Sequence, residues 1–267
     1  MLFRTQIWDN ITIIYLKFIV NCFSFLNIKT LKKSIKPFIC LPIVLLAIAC
    51  GKLEPKGDIE LKEFPISEFS GIEAKGKFRV FYVNSDKNRV EVESFPNFIN
   101  NLDIDVQNGL LKIDESREVS GQDFYNVTIY SSKYPNSVKL SDSIEFNVSG
   151  DLKSKDLKIS IQDEAKFIGS INADKATVEM QNGGLANFKG FVKNANISIK
   201  DTANVLAPYW MVDVLNIHSK NGTYAEMNVK DSIKGEIQNT AKFIYYGSPI
   251  RAFKIDLKAT VNNKNLN

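Results

Sequence analysis

The sequence predicts an all-β protein: a right-handed, parallel β-helix-like solenoid with irregular rungs of about 16–22 residues. Three observations point there. From about residue 63 onward apolar and polar residues alternate, as in residues 77–83 (KFRVFYV), 89–93 (RVEVE) and 102–106 (LDIDV), with Asn, Gly, Ser and Asp at the breaks. Period-two alternation between turn residues is the mark of half-buried strands. The pattern IQDEAKF at residues 161–167 returns as IKDTANV at 199–205 and as IQNTAKF at 237–243, a stride of 38 residues. Helical periodicity is confined to residues 95–101 (FPNFINN), enough for one or two turns.

Taken in order, residues 1–49 read as a leader. Lys29, Lys32, Lys33 and Lys36 precede an apolar run of about a dozen residues ending in small residues and Cys50 (residues 38–50, FICLPIVLLAIAC). That run is short for a membrane-spanning helix, which needs about 20 apolar residues. Residues 47–50 (AIAC) resemble a bacterial lipobox, with Ala47 where leucine is usual and Leu46 one place further back. The resemblance implies cleavage before Cys50 and a lipid on its sulfur. A second apolar stretch, residues 11–28, is interrupted by Lys17 and Asn21; either the leader is long, or translation starts nearer Leu31 at a non-Met codon. Residues 50–62 begin with CGKLEPKG, the composition of a lipidated, flexible tether.

Charge follows this division. Residues 1–49 carry six basic residues against Asp9; the rest carries 28 basic against 29 acidic ones. A near-neutral mature chain has no electrostatic footprint for nucleic acid. All three cysteines, Cys22, Cys40 and Cys50, lie in the first fifty residues, and His218 is the only histidine. Zinc sites and Ser-His or Cys-His catalysis would all have to rest on that one residue.

Residues 63–250 read as the solenoid, with 251–267 as a C-terminal strand and tail. Two longer relatives of the repeat, residues 180–188 (MQNGGLANF) and 218–227 (HSKNGTYAEM), fall between the three copies. Alanines at 165, 186, 203, 225 and 241 then lie 21, 17, 22 and 16 residues apart. Stacking would place Ile161, Ile199 and Ile237 in one interior column, with His218 and Met180 at the equivalent positions between them. Ala165, Ala203 and Ala241 would turn a tight corner, and Asp163, Asn182, Asp201 and Asn239 would close the turns. Gly183-Gly184 and Asn221-Gly222 would supply the positive φ of longer corners. Phe95, Phe98, Phe124, Tyr125 and Tyr134 are expected to build an N-terminal cap.

Residues 66–80 (ISEFSGIEAKGKFRV) resemble the opening of a family of secreted bacterial proteins, the "putative auto-transporter adhesin, head GIN domain" family, in the pattern F-S-G-I-x-x-x-G-x-F-x-V. Residues 108–113 (NGLLKI) and the repeated Asp/Asn-x-Ala-x-apolar units continue the resemblance from about Phe64 to Gly247. It implies a β-helix-like solenoid, often on an envelope lipoprotein, and brings no established activity.

The functional expectation is a non-catalytic envelope lipoprotein, secreted across the inner membrane and anchored through Cys50, in the outer membrane. It would offer its solenoid surface to a glycan or an envelope protein, with no cofactor, no metal and no catalytic residue. Residues 208–211 (PYWM) break the repeat, and Tyr209 and Trp210 are the candidate binding surface, since exposed aromatics bind sugars and partners by stacking. A structural or scaffold lipoprotein is the alternative. A polysaccharide-acting β-helix enzyme is a third reading, with Asp163, Glu164 and Asp201 beside Lys166 or Lys200 on one face; Asp163 and Asp201 would sit two rungs apart, about 9–10 Å.

Overall fold

The computed structural model describes residues 51–121 and 123–265; the predicted leader and Cys50 lie outside the described residues. From Lys52 onward the chain is all-β, with coils stacked for about seven turns. The one helix among the described residues is α1 (Pro96–Ile99), where sequence periodicity places it.

The described strands join one sixteen-stranded sheet wound into the stack. Its middle is five long strands, β9 (Glu145–Ile161), β10 (Lys166–Met180), β11 (Leu185–Ile199), β12 (Asn204–Lys220) and β13 (Tyr224–Gln238), each paired in parallel with the next along most of its length. The C-terminal coil is split: β14 (Lys242–Tyr246) pairs with the first half of β13, β15 (Ile250–Ile255) with its second half, and β16 (Thr260–Lys264) with β14. Between the bulges, parallel pairing bonds each long strand's backbone to the coils on both sides.

The N-terminal end departs from simple winding. β2 (Gly71–Gly76) and β3 (Arg79–Asn84) form the first coil in sequence but the second in space. They lie between β6 (Leu110–Glu115) with β7 (Asn126–Ser131) on one side and β8 (Ser137–Asp142) with the start of β9 on the other. Antiparallel strands close the end: β1 (Glu60–Pro65) on β4 (Arg89–Ser94), β4 on β7, and β5 (Leu102–Gln107) on β6 through the Asn108-Gly109 turn. Phe98 and Tyr125 are buried here, Phe95 and Tyr134 partly so, while Phe124 points to solvent. Phe95, Phe98 and Tyr125 form one aromatic cluster at this end, while Tyr134 packs against the core between β7 and β8.

The segment expected to be a free tether is instead held against this end. Leu53 donates to the Glu118 carbonyl at 2.8 Å and accepts from the Ser120 amide at 3.0 Å. Asn97 grips the next residues from α1, its Nδ2 donating to the Glu54 carbonyl at 2.8 Å and its Oδ1 accepting from the Lys56 amide at 2.9 Å.

The turn column is more regular than the alanine spacing suggests. Positive φ falls on Asp142, Asp163, Asn182, Asp201, Asn221 and Asn239, between +56° and +68°. Asp and Asn tolerate this left-handed region because the short side chain bonds locally. Gly183, Gly184 and Gly222 do not adopt positive φ, so the expectation that they supply it is corrected; the preceding Asn does. Every turn has the same length. Backbone bonds align Ala165, Gly184, Ala203, Thr223 and Ala241, which lie 19, 19, 20 and 18 residues apart. The residues read as longer relatives are ordinary rungs in which Gly184 or Thr223 takes the small corner position.

That register also moves His218. Ser219, not His218, pairs with Ile199 and Ile237, and His218 is exposed. Ser219 lies in the interior column with its Oγ 2.7 Å from Thr223 Oγ1, a buried pair that satisfies both hydroxyls.

Side-chain bonds tie the turn column together. Asn182 Nδ2 donates to Asp163 Oδ1 at 2.9 Å, Asn221 Nδ2 to Asp201 Oδ1 at 3.2 Å, and Asn239 Nδ2 to Asn221 Oδ1 at 2.8 Å. Asn182→Gly is therefore expected to cost little, because glycine accepts φ +58° freely; Asn182→Ala should cost about 1–2 kcal/mol in denaturant unfolding. Equal costs for the two would show that the hydrogen bond, not the backbone, dominates.

Candidate functional site

Inside the stack an aromatic column runs from rung to rung: Phe146 to Phe167 at 5.1 Å between ring centroids, Phe167 to Phe188 at 5.4 Å, and Phe188 to Trp210 at 5.0 Å. Trp210 is fully buried and its Nε1 donates to the Ile171 carbonyl at 3.2 Å. The expectation that Trp210 belongs to a binding surface is thus corrected: it is core.

Tyr209, beside it, is 72% exposed. The cause is a bulge. Ala207 pairs with Met227 and Met211 with Asn228, so Pro208, Tyr209 and Trp210 have no partners on β13. An insertion of this kind shifts the in–out alternation and re-aims side chains. Here it turns Trp210 inward and lifts Tyr209 and Met211, 55% exposed, out of the coil.

These two do not stand alone. Strand register places Lys153, Asn172, Phe191, Met211 and Asn228 in one row across β9 to β13. Asp151, Ser170, Lys189 and Tyr209 form a row two positions earlier, with Ser170 buried and Leu152, Ile171, Gly190 and Trp210 between the two rows. At a strand separation of about 4.8 Å, the first row spans roughly 19 Å. Phe191 is 39% exposed, and its amide is fixed by Asn172 Oδ1 at 3.1 Å. An open groove lined by Lys153, Lys155, Asn172, Asp174 and Phe191 continues the row toward the N-terminal coils. The result is an apolar centre, Phe191 and Met211, with Lys153 and Asn172 on one side and Asn228 on the other.

Near it, Tyr224 Oη donates to Glu226 Oε2 at 3.0 Å and Tyr246 Oη donates to Glu226 Oε1. The hydrogen bond to Glu226, with burial second, pushes the Tyr246 hydroxyl up to about 12. Burial, then the same carboxylate, raises Tyr224. Both tyrosines stay protonated at neutral pH, and both hydroxyls donate to the Glu226 side chain.

Of the residues of the enzymatic reading, Glu164 and Lys166 line one open cleft with Lys77, Arg79 and Glu145, Lys200 lines another, and Asp163 and Asp201 line neither. Asp163 Oδ1 accepts from Asn182 and its Oδ2 from the Asp142 amide at 3.3 Å, while Asp201 Oδ1 accepts from Asn221. Their carboxylates are engaged in turn closure. Among the described residues no group of three or more His, Cys, Asp or Glu side chains is placed to hold a metal ion, and no helix is long and apolar enough to cross a membrane.

Phe191 and Met211 were missed by sequence reasoning for different reasons. Met211 belongs to the PYWM break but was not singled out. Phe191 sits in a regular strand, where only the register reveals that it faces outward beside Met211.

A family model described as "Putative auto-transporter adhesin, head GIN domain" matches residues 68–249. Among solved structures, a "putative adhesin" from Bacteroides fragilis is similar with a TM-score of 0.73 and 19% identity, over 80% of this chain and 100% of that one. A "putative adhesin" from Parabacteroides merdae gives a TM-score of 0.64 and 20% identity, over 80% and 99% of the two chains. A "putative lipid binding protein" from Parabacteroides distasonis gives 0.60 and 17%, over 80% and 100%. At these identities the likeness shows the fold. No curated protein sequence is a match.

Proposed function

The chain belongs to the "putative auto-transporter adhesin, head GIN domain" family, and from that premise we propose that it is a non-catalytic binding module of the bacterial envelope. Its solenoid acts as a rigid support, and the exposed corner of Phe191, Tyr209 and Met211 is the contact surface. The observation carrying this is the bulge at residues 208–210, which breaks a regular coil and turns an aromatic outward. An extended ligand suits a row that crosses five strands, and a glycan is the preferred class. Tyr209 and Phe191 offer faces for sugar stacking, while Asn172, Asn228 and Lys153 offer donors to hydroxyls. The protein is held in the envelope by a lipid on Cys50, in the outer membrane.

A second reading, docking of an envelope protein, is favoured by the C-terminal edge, where Ile250, Ile255 and Leu257 are 77%, 52% and 106% exposed on or beside β15. Open edges accept a partner strand.

Binding to a panel of envelope and host glycans should separate the two. Tyr209→Ala is expected to weaken glycan binding tenfold or more, about 1.4 kcal/mol, with the melting temperature unchanged. Glycan binding that survives Tyr209→Ala together with Phe191→Ala would remove this surface from consideration. Co-purification of one envelope protein, lost on charging the edge with Ile250→Asp, would favour the second reading.

A further inference from the structure

We propose that the outer edge of β15 takes up one extended segment of a partner, with an acidic residue facing Arg251 and apolar residues facing Phe253 and Ile255. This deepens the second reading, docking of an envelope protein at the C-terminal edge, and rests on it. The new elements are the form of the partner's contact and its chemistry.

Both come from the register. β15 pairs with the second half of β13 and, among the described strands, with nothing else. Arg251 pairs with Ile233, which continues the interior column of Leu157, Ala176, Ala195 and Leu215. Ile255 pairs with Ile237, in the column that begins at Ile161. Phe253, between them, packs on Phe243 and Tyr245 with ring centroids 6.3 and 6.4 Å apart. From β9 to β13 both columns are buried; on β15 Arg251 is exposed and Ile255 is 52% exposed. β15 therefore shows solvent the inward-facing residues of a rung together with an open row of backbone groups. An added strand satisfies that row and covers those side chains in one step.

Arg251 sets the charge of what covers it. Its Nη1 donates to the Tyr245 hydroxyl at 3.0 Å, which keeps the guanidinium on the inward side of the coil. A strand laid over it removes water from it, and a guanidinium without water needs a carboxylate opposite. The surroundings have the same sign. Residues 250–264 carry Arg251, Lys254, Lys258 and Lys264 against Asp256. Asp256 Oδ2 accepts from the Asn239 amide at 3.0 Å, and Lys254 lies 3.5 Å from Glu236. Such an edge attracts a segment of net negative charge and repels a second β15.

A second copy also fails on geometry. β16 stands one strand beyond β15, because it pairs with β14. At the other end β1 stands one strand beyond β5, because β4 lies between β1 and β7 while β5 pairs directly with β6. Stacking copies end on, β16 against β1 or against another β16, leaves β15 three strand spacings, about 14 Å, from the nearest strand on its side. The edge takes a single extended chain, not the end of another solenoid.

The test titrates the full chain with two dye-labelled ten-residue peptides, read by fluorescence anisotropy. In one, an aspartate and two valines alternate with threonines; in the other, lysine replaces the aspartate. The aspartate peptide is expected to bind about tenfold more tightly or better, and Arg251→Glu to reverse the order at an unchanged melting temperature. Arg251→Ala, should Arg251→Glu fail to fold, is expected to bring the two peptides within about threefold of each other. No binding of the aspartate peptide, or an order unchanged by both variants, would overturn the proposal. So would self-association of the chain that Ile250→Asp abolishes, which would assign the edge to a second copy. An envelope protein that co-purifies, is lost on Ile250→Asp and is retained by both Arg251 variants would overturn the proposal and leave the docking reading standing. Co-purification of no envelope protein would remove the docking reading, and this inference with it.

Discussion

Replacing Trp210 with alanine is expected to cost about 3–5 kcal/mol, while replacing the adjacent Tyr209 should change stability by no more than about 0.5 kcal/mol. The two are chain neighbours with opposite surroundings. Trp210 ends the internal column that runs through Phe146, Phe167 and Phe188, and it is fully buried. Truncation leaves a cavity between rungs and removes the donor that satisfies the Ile171 carbonyl. Stability in a solenoid is close to a sum of rung and interface terms. A defect in β12, with three long strands before it and one after it in the stack, weakens the joint between the coils on its two sides. The unfolding transition of Trp210→Ala should accordingly broaden or split as well as shift. Denaturant unfolding of the two variants checks this; a Trp210→Ala loss below about 1 kcal/mol would mean that the interior closes around the gap at no cost.

Gly235→Ala is expected to be as damaging, by another route. Gly235 has φ +125°, and a Cβ placed there would lie 1.9 Å from the Ile217 carbonyl oxygen and 2.8 Å from its carbon. Both obstacles are backbone of the neighbouring rung, held in register by the pairing of Ile217 with Gly235 and of Gly235 with Phe253. They cannot rotate aside as a side chain would. Relief requires β13 to part from β12 or to slip its register, and either one also loosens β15. A loss of about 4 kcal/mol or more is expected. Gly150 is the control: φ is +84° and nothing lies within 4 Å of its Cβ position. Gly150→Ala carries only the backbone term, about 1–2 kcal/mol. Similar losses for the two in denaturant unfolding would show that the close approach at Ile217 relaxes freely.

Much of this fold is readable in the sequence, because the physics is local and repeated. Alternating residues mark strands, and Asp or Asn at a left-handed turn leaves a signature on every rung. The column of Asp163, Asn182, Asp201 and Asn239 is found as expected, with Asp142 and Asn221 added. What failed did so through parity. Alanine was taken as the corner marker, but Gly184 and Thr223 fill the same small space. That slip put His218 inside, where the Ser219–Thr223 hydroxyl pair resides. Trp210 was judged by its neighbours in sequence, and a bulge reverses alternation without any sign in composition. The docked tether segment was illegible for another reason: its composition is that of a linker, and only partners more than forty residues away hold it down.

The same division separates the turn ladder from the proposed contact surface. Residues that keep the pattern, Asp163 and Asp201 among them, are occupied with closing turns; residues that break it, Tyr209 and Met211, face solvent beside Phe191. The most direct test measures stability and glycan binding side by side in two sets of variants, Asp163→Ala with Asp201→Ala, and Tyr209→Ala with Phe191→Ala. The ladder pair is predicted to lower the unfolding midpoint and leave the dissociation constant of the folded protein unchanged, and the corner pair to do the reverse. Loss of binding in Asp201→Ala at an unchanged midpoint would contradict this, and would return the turn column to the list of functional sites.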